Sequence, residues 1–424
     1  MNETKLPPDC STIAGVIIPG DSTPVDIEVR NGRIAQIVPA AEVPTKALVA
    51  LPGFVDLHSH LREPGGEEAE TIQTGSRAAA AGGYTDVFAM ANTNPITDTV
   101  DLVDAMRTRA AKASVRVHPV AAATKGIAGK NLVDVRALRA VGVHLFSDDG
   151  HCVDDDSRVY ELLSILAETG GVFAQHAQSP RIVGEGVINA AVAASVGCPP
   201  WPPAGEEAVV ARDIALARAT GGRLHVCHVS TRGTVDFIRW AKEVGAPVTA
   251  EVTPHHLMLT DTDAVRRGPL LKVNPPLRTD EDVTALREAL RDGTIDAVGT
   301  DHAPHPTESK RRGWIDGAFG MTAIETALPI VADVVTDPHT GIVDWERLVH
   351  VMSTVPARIG SLRRASRVEI GEPADLCIVE TGGPWTVSAE TMLSKSVNTP
   401  FDGLTIRHRV IKTMLSGRVT FTAE

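Results

Sequence analysis

Short runs rich in β-branched residues alternate with segments of helical periodicity from residue 51 onward. Such alternation is typical of successive βα units that build a parallel sheet. Strands are predicted at 51–57, 84–90, 115–120, 143–146, 172–176, 224–229, 248–252 and 295–299. Helical segments between them include 70–81, 102–113, 157–168, 206–220 and 231–243. Because these strands provide eight units, the pattern predicts an α/β fold with a TIM-like (β/α)8 barrel.

The two ends of the chain carry a different pattern, with apolar and polar residues alternating around turn-forming pairs such as Asn31-Gly32 and Ser416-Gly417. This pattern is typical of hairpins. The strand-like stretches are 13–18, 26–29 and 33–38 at one end and 376–380, 406–414 and 418–422 at the other. We therefore expect residues 1–50 and 368–424 to pair into one small β domain beside a barrel formed by residues 51–367. The proline-rich segment 198–203 is expected in a long loop after strand five.

Composition excludes several classes of function. Of the 424 residues, 43% are hydrophobic and 22% charged, which is ordinary for a globular protein. Lys+Arg 41 against Asp+Glu 53 gives 41 − 53 = −12, which argues against nucleic acid as a partner. The start of the chain lacks an apolar signal core, and no uncharged apolar stretch is long enough to span a membrane. We expect a cytoplasmic protein without membrane association.

The first candidate chemistry is the pair His58 and His60, whose imidazoles project to the same side of an extended strand. Such a pair alone is weak support for a metal site. Further ligand-type residues lie at or just beyond the ends of predicted strands four, five, six and eight, namely Asp149, His176, His228 and Asp301. Histidines scattered through a core would not concentrate at the carboxyl ends of strands, where barrel enzymes build their sites.

These residues predict a site for one or two divalent ions, with zinc favoured and cobalt or manganese left open. The five cysteines form no CxxC pair, so the ligands are expected to be imidazoles and carboxylates. Two nearby ions require a bridging anion, for which Asp149 is the candidate. Asp148 should point to the opposite side, with a hydrogen-bonding or helix-capping role, although either aspartate remains possible as the bridge. Lys125 lies after the wrong strand for a carbamylated bridge.

Longer motifs then identify a resemblance. The run 52–65 reads PGFVDLHSHLREPG, and it is accompanied by NTNP at 92–95, NPPLR at 274–278 and TDHAPH at 300–305. Together they resemble the class I bacterial dihydroorotases of the amidohydrolase superfamily, and the resemblance extends to 398–401. The sequence departs from that pattern at Leu61, Ala91 and Ala177-Gln178. None of these departures removes a candidate ligand.

The resemblance implies an enzyme of de novo pyrimidine biosynthesis that cyclises N-carbamoyl-L-aspartate to (S)-dihydroorotate, reversibly and with zinc. It implies that His58 and His60 bind a first ion, that Asp149 bridges, and that His176 and His228 bind a second. Asp301 would join the first ion and act as the catalytic base. Substrate would be bound by Arg62, Asn92, Asn274, His305, Phe319 and Gly320, the last two through their backbone. The segment 307–317, which contains Lys310, is expected to be either mobile or a solvated basic loop.

The sequence leaves two other functions open. A hydantoinase or allantoinase would share the barrel, the metals and the ring-opening chemistry, but would not need to bind a carboxylate. A non-catalytic dihydroorotase-like subunit would only support aspartate carbamoyltransferase, and such relatives lack the metal ligands. The resemblance implies a small-molecule substrate and makes aspartate carbamoyltransferase a candidate partner, while homo-oligomerisation is left open.

Overall fold

The computed structural model describes residues 10–42, 45–363 and 366–423, which form a mixed α/β fold. The strands are β1 Cys10–Ile17, β2 Val25–Arg30, β3 Arg33–Pro39, β4 Leu48–Pro52, β5 Phe54–Ser59, β6 Tyr84–Ala89, β7 Arg116–Pro119, β8 Leu145–Phe146, β9 Val172–Gln175, β10 Ile188–Asn189, β11 Pro200–Trp201, β12 Arg223–Val226, β13 Val248–Val252, β14 Ala297–Val298, β15 Leu376–Glu380, β16 Trp385–Thr386, β17 Thr405–Ile406, β18 Arg409–Leu415 and β19 Arg418–Thr422. Residues 1–9, 43–44, 364–365 and 424, which belong to the predicted domain ranges, lie outside the described residues.

Helices occupy most of the connections between these strands. They are α1 Ile72–Ala81, α2 Val100–Ala110, α3 Val135–Ala140, α4 Asp156–Thr169, α5 Pro180–Val183, α6 Ala190–Val196, α7 Ala204–Thr220, α8 Arg232–Glu243, α9 Asp261–Arg267, α10 Asp280–Asp292, α11 Thr307–Lys310, α12 Gly313–Asp316, α13 Ala327–Val335, α14 Trp345–Val349 and α15 Val355–Ile359. Short 3₁₀ turns lie at Lys125–Ile127, Pro269–Leu271 and Ala389–Thr391, and a π-helical turn at His350–Thr354 joins α14 to α15. In the described ranges, no helix has both the length and the apolar character needed to cross a membrane.

The central strands pair side by side in parallel. One group runs β5-β6-β7 and a second runs β8-β9-β12-β13-β14. A parallel bridge between Ala121 and Phe146 joins the two groups, and another between Ser59 and His302 leads from the end of the second group back to β5. Within the described residues, the parallel pairings therefore pass through eight strands and return to the first.

Strands from both ends of the chain form a separate sheet, with the order β19-β18-β15-β4-β1-β2-β3. Its pairings are antiparallel except between β1 and β4. The sheet rests against the central strands and α1, where the Thr413 hydroxyl donates to the carbonyl of Ala80 at 2.7 Å. The Arg116 guanidinium also pairs with Asp375 at 2.8 Å.

The predicted first strand, 51–57, was wrong in its bounds because it spans two strands of different sheets. β4 ends at Pro52 and pairs with β15 in the terminal sheet, whereas β5 begins at Phe54 among the central strands. The change occurs at Gly53, where a Cβ atom would lie 2.3 Å from Thr85 Cγ2. Both strands are buried, so hydrophobicity alone does not mark the point at which the chain leaves one sheet for the other.

Other boundaries also differ from the prediction. The stretch 406–414 divides into β17 and β18 at His408, which has a φ of 63° that interrupts extended backbone. The segment 198–203 is not all loop, because it contains β11, which pairs with β10. β8 and β14 have two residues each, shorter than predicted, since only these residues make regular ladder pairs.

Local sequence explains how a helix such as α4 is placed. The Asp155 carboxylate accepts hydrogen bonds from the backbone N–H groups of Ser157 and Arg158 and so caps its first turn. Gly170 ends the helix in the left-handed region at φ 82°, where glycine is favoured. The face that packs inward carries Val159, Leu162, Leu163 and Leu166. The helix thus returns the chain to the start of β9.

Candidate metal centre and substrate pocket

The six predicted ligand residues lie together at the carboxyl ends of the central strands. His58 lies on β5, and the other five follow their strands within three residues. Each is at most 5% exposed. The six are His58, His60, Asp149, His176, His228 and Asp301.

The Asp149 carboxylate lies at the centre of this group. Its Oδ1 is 3.3 Å from His58 Nε2, 3.3 Å from His176 Nδ1 and 3.4 Å from His228 Nε2. Its Oδ2 is 3.3 Å from His60 Nε2. One carboxylate therefore contacts all four histidines, three through Oδ1 and one through Oδ2.

Asp301 lies on the side of the first histidine pair. Its Oδ1 is 3.1 Å from His60 Nε2 and 3.6 Å from His58 Nε2. Burial opposes ionisation of Asp301, but the hydrogen bond with His60 and the nearby imidazoles outweigh it and hold its pKa below the ordinary value. The carboxylate is therefore ionised at neutral pH.

The donor set fits divalent metal ions. His58, His60 and Asp149 form one group of possible ligands and Asp149, His176 and His228 form another, with the ligand atoms of each group within 4.8 Å of one another. Atoms bound at 2.0–2.1 Å to one tetrahedral ion lie about 3.3 Å apart. His58 Nε2 and Asp149 Oδ1 are buried without a hydrogen-bond partner. A cation between them would satisfy both atoms.

The backbone bends sharply where several site residues leave their strands. Arg62, His228 and Asp301 have φ values of 59°, 34° and 44°, in the left-handed region that residues other than glycine rarely adopt. Strained backbone of this kind occurs at functional sites when surrounding contacts enforce it. In a regular strand, successive side chains point to opposite faces. The bends at these three positions interrupt that alternation.

Glu251 on β13 is a site residue that the sequence reasoning missed. Its Oε1 accepts a hydrogen bond from His58 Nδ1 at 2.6 Å, which leaves Nε2 of the same ring facing Asp149. Its Oε2 is 3.1 Å from His225 Nε2. Burial alone would raise the pKa of Glu251, but His58 and His225 lower it to about 2. The only indication in the sequence was an acidic residue inside the apolar run 248–252.

Asn92, predicted to bind substrate, contacts two of the candidate ligands. Its side-chain oxygen accepts from His60 Nδ1 at 3.0 Å, and its amide nitrogen donates to the backbone carbonyl of Asp149 at 3.3 Å. The oxygen fixes His60 with Nε2 toward the carboxylates, as Glu251 does for His58.

Asp148 and Lys125 lie outside the ligand group. The Asp148 carboxylate accepts hydrogen bonds from the backbone N–H groups of Ala123 and Thr124 at 2.8 and 2.9 Å. This supports the predicted hydrogen-bonding role, while the cap of the following helix is Asp155 instead. Lys125 is exposed. Of the two neighbouring aspartates, Asp149 is the one that faces the histidines.

Four predicted substrate-binding residues meet beside the ligand group. Arg62 Nη2 lies 3.2 Å from His305 Nε2, and that nitrogen donates to the carbonyl of Phe319 at 2.6 Å. Burial, Arg62 and Lys310 lower the pKa of His305 to about 3, so the ring is neutral. A Cβ atom on Gly320 would lie 2.7 Å from Ala303 Cβ and 2.9 Å from His305 Nε2. Glycine is therefore required at position 320.

The segment 307–317 is more ordered in its contacts than a solvated loop. It contains the short helices α11 and α12, and Lys310 is 1% exposed. The interpretation as a merely solvated basic loop is therefore wrong for Lys310, although it fits the exposed Arg311 and Arg312. Three backbone carbonyls accept hydrogen bonds from the lysine and compensate for its burial.

Comparison with known proteins identifies relatives whose family agrees with the geometry of this site. The family model described as Dihydro-orotase-like matches residues 47–234. A dihydroorotase from Streptomyces coelicolor is 48% identical over 377 residues, covering 88% of both chains. One from Mycobacterium tuberculosis is 45% identical over 420 residues, covering 96% of this chain and 97% of the other. The chain belongs to the dihydroorotase family.

Solved structures with a similar fold include hydantoinases. L-hydantoinase (dihydropyrimidinase) from Arthrobacter aurescens has a TM-score of 0.83 at 27% identity and covers 96% of this chain and 95% of its own. D-hydantoinase from Thermus sp. has a TM-score of 0.81 at 24% identity, covering 97% and 96%, a likeness of fold alone. Membership of the dihydroorotase family confirms the predicted resemblance and makes this chain a cyclic amide hydrolase.

One departure from the dihydroorotase pattern falls within the site. Gln178 Oε1 accepts from His176 Nε2 at 2.8 Å and from the amide of Asn274 at 3.0 Å. The glutamine thereby fixes the His176 ring with Nδ1 toward Asp149 and links a candidate ligand to a predicted substrate residue. In this dihydroorotase-family chain, a neutral amide acts as the outer partner of His176.

Proposed function

We propose that this protein catalyses the reversible, zinc-dependent cyclisation of N-carbamoyl-L-aspartate to (S)-dihydroorotate in de novo pyrimidine biosynthesis. The observation that carries the proposal is the buried Asp149 carboxylate, which lies within 3.4 Å of four imidazoles, near the Arg62–His305 pair. Identity of 41 to 48% with curated dihydroorotases supports the same activity. We further propose a cytoplasmic enzyme, for which association with aspartate carbamoyltransferase stays a prediction.

The proposed architecture is the (β/α)8 barrel with a small β domain formed by both termini. The circuit of parallel pairings and the joint sheet of terminal strands support it. Because β4 belongs to the terminal sheet, we place the start of the barrel at β5 rather than at residue 51.

The proposed zinc ligands are the two overlapping groups together with Asp301. His58, His60 and Asp301 would hold one ion, His176 and His228 a second, and Asp149 would bind both. Bound zinc would supply Lewis-acid activation of the amide carbonyl. Glu251, Asn92 and Gln178 orient three of the histidines by accepting from the ring nitrogen that faces away from Asp149.

Asp301 is proposed as the proton carrier. In ring opening, its carboxylate takes a proton from the attacking water, and the water oxygen bonds to the ring carbonyl carbon. The ring C–N bond then breaks, and Asp301 gives the proton to the departing nitrogen. In cyclisation the same steps run in reverse, with the nitrogen attacking and water leaving.

A second part of the proposed site would bind the free carboxylate that dihydroorotate and N-carbamoyl-L-aspartate both carry. The planar guanidinium of Arg62 is suited to two parallel hydrogen bonds with such a group. His305, Asn92, Asn274 and the backbone of Phe319 and Gly320 would complete the pocket. A carboxylate at this position would set the orientation of the ring relative to Asp301.

The two other functions are less well supported. Hydantoinases have a similar fold at 21 to 27% identity, whereas the most similar sequences named above are dihydroorotases at 45 and 48%. A non-catalytic subunit would not need six buried ligand-type side chains in one cluster. Comparing kcat/KM for dihydroorotate with that for hydantoin tests the first alternative, since equal or higher efficiency with hydantoin would contradict the proposed substrate.

The proton-carrier role is tested by Asp301→Asn in zinc-loaded protein. An amide cannot accept the proton, so kcat should fall roughly 100- to 10,000-fold. Zinc content is measured in parallel, and the control is Asp104→Asn, which removes an exposed carboxylate on α2. Near-normal turnover by an Asp301→Asn protein that contains zinc would exclude the assigned role.

A further inference from the structure

We propose that Lys310 is a positioning residue, which fixes the backbone of Phe319 and Gly320 for recognition of the substrate carboxylate. The proposal rests on the proposed function of the pocket and extends it to a residue outside the pocket wall. It arises from a buried cation that makes no ion pair among the described residues.

Lys310 uses all three ammonium hydrogens within the protein. Its Nζ donates to the carbonyls of Lys272 at 2.8 Å, Ala318 at 3.0 Å and Gly320 at 2.8 Å. A buried cation is costly unless such contacts compensate for lost hydration. The acceptors include the residue before Phe319 and the residue after it, so the ammonium holds both ends of this short turn.

Lys272 holds the part of the chain that leads into this turn. Its Nζ donates to the carbonyls of Ile315 at 2.9 Å and Gly317 at 2.7 Å. The same nitrogen lies 4.0 Å from the centre of the Phe319 ring, within the range of a cation–π contact. The Gly320 N–H in turn donates to the Lys272 carbonyl at 3.0 Å. The two lysines therefore fix the chain from Ile315 to Gly320.

A neutral side chain connects this turn with His305. The Asn398 amide donates to the carbonyls of Ala303 at 3.1 Å and Gly320 at 3.2 Å, and its oxygen accepts from the His305 N–H at 3.2 Å. The Gly320 carbonyl therefore accepts from both Lys310 and Asn398. Loss of the Lys310 ammonium would remove the donors on one side of the turn, and the Phe319 carbonyl that holds His305 would shift with it.

This arrangement predicts an effect on substrate binding rather than on the chemical step. In Lys310→Met, which has a similar length and no donor, we expect KM for dihydroorotate to rise roughly tenfold or more while kcat changes less than threefold. Zinc content should match that of the wild type, because Lys310 contacts no candidate ligand. Arg311→Met is the matched control, since it removes a neighbouring exposed cation and should leave both constants unchanged.

Different results separate this proposal from the proposed function. A wild-type protein that contains zinc but does not turn over dihydroorotate would overturn both. An active wild type with a folded Lys310→Met variant whose KM is within twofold of normal would overturn the positioning role alone, as would a loss confined to kcat. If Lys310→Met does not fold, Lys272→Met decides the question by the same limits on KM and kcat.

Discussion

At the scale of single residues, the site depends on side chains that hold other side chains. Glu251 is the clearest case, because its two oxygens contact His58 and His225 in a fully buried position. The Glu251 carboxylate also excludes a larger side chain at Gly299, because a Cβ atom there would lie 2.2 Å from Glu251 Oε2. An outer carboxylate of this kind fixes the tautomer of a ligating imidazole and raises its basicity.

The Glu251→Gln variant tests this role. The amide keeps the shape of the side chain but loses the charge, so zinc affinity should fall roughly 10- to 100-fold. Competition with a chelator of known affinity measures the change. Glu243→Gln, at the exposed end of α8, serves as the control. Equal zinc affinity in both variants and the wild type would exclude the orienting role.

His144 gives a prediction for pH dependence away from the metal site. Burial and the neighbouring Arg139, whose Nη1 lies 2.9 Å from His144 Nδ1, lower the pKa of this histidine from its ordinary value of about 6.5 to about 4. Between these values the unfolded chain binds more protons, so stability is fully present above pH 6.5 and decreases as pH falls toward 4. The contribution is on the order of 1 kcal/mol because solvent screens a half-buried group.

Urea unfolding of the wild type and His144→Gln at several pH values between 4 and 7 measures this effect. The variant should lose less stability than the wild type as pH falls, because glutamine does not titrate. His339→Gln, which replaces an exposed histidine, should follow the wild-type curve. Parallel curves for the wild type and His144→Gln would contradict the assignment.

At the scale of elements, helix caps and glycines decide where segments begin and end. α10 begins with a capping box in which the Thr279 hydroxyl accepts from the Asp282 N–H, while the Asp282 carboxylate accepts from the Thr279 N–H at 3.1 Å. The helix then buries Val283, Leu286, Ala289 and Leu290. Because the capping box fixes the first residue of the helix, it also fixes which side chains face the core.

Thr279→Ala should therefore lower the free energy of unfolding by about 1 kcal/mol. The helix lies outside the candidate site, so kcat and KM should be unchanged. Thr284→Ala, at an exposed position of the same helix, is the comparison and should have little effect or a slight stabilising one. Equal stability of the two variants would show that the capping box is not required.

At the scale of the whole molecule, the candidate site joins strands that are distant in sequence. His58 and Asp301 lie at opposite ends of the central strand circuit, and the bridge between Ser59 and His302 brings these ends together. Metal ions held by residues from five strand ends would connect much of this circuit. Binding to the native state alone stabilises a protein by mass action.

Removal of zinc with a chelator should consequently lower the melting temperature, and added zinc should restore it. At a free zinc concentration 100 times the dissociation constant, the expected stabilisation is about 2.7 kcal/mol per site. Magnesium, which prefers oxygen ligands, should not substitute. Asp149→Asn should lose most of the zinc-dependent shift because this carboxylate faces both histidine pairs. An unchanged shift in that variant would exclude Asp149 as the shared ligand.

The sequence by itself determined the family, the alternation of strands and helices, and the residue types available for the site. Hydrophobic periodicity locates buried segments, and the position of His58, His176 and His228 at strand ends follows from it. Motif order added the family, which the relatives confirm. Periodicity does not report which sheet a buried strand enters, and for this reason the boundary at Gly53 was misplaced.

Only the tertiary structure decided the contacts between distant segments. Glu251 is separated from His58 by 193 residues, and Lys310 meets the carbonyl of Lys272 across 38 residues. Both are charged residues that a sequence pattern would place at a surface, yet folding surrounds each with compensating partners. The distinction between Asp148 and Asp149 likewise depends on which carboxylate faces the histidines once the strands are side by side. Such choices are set by long-range packing, which no local pattern of residues contains.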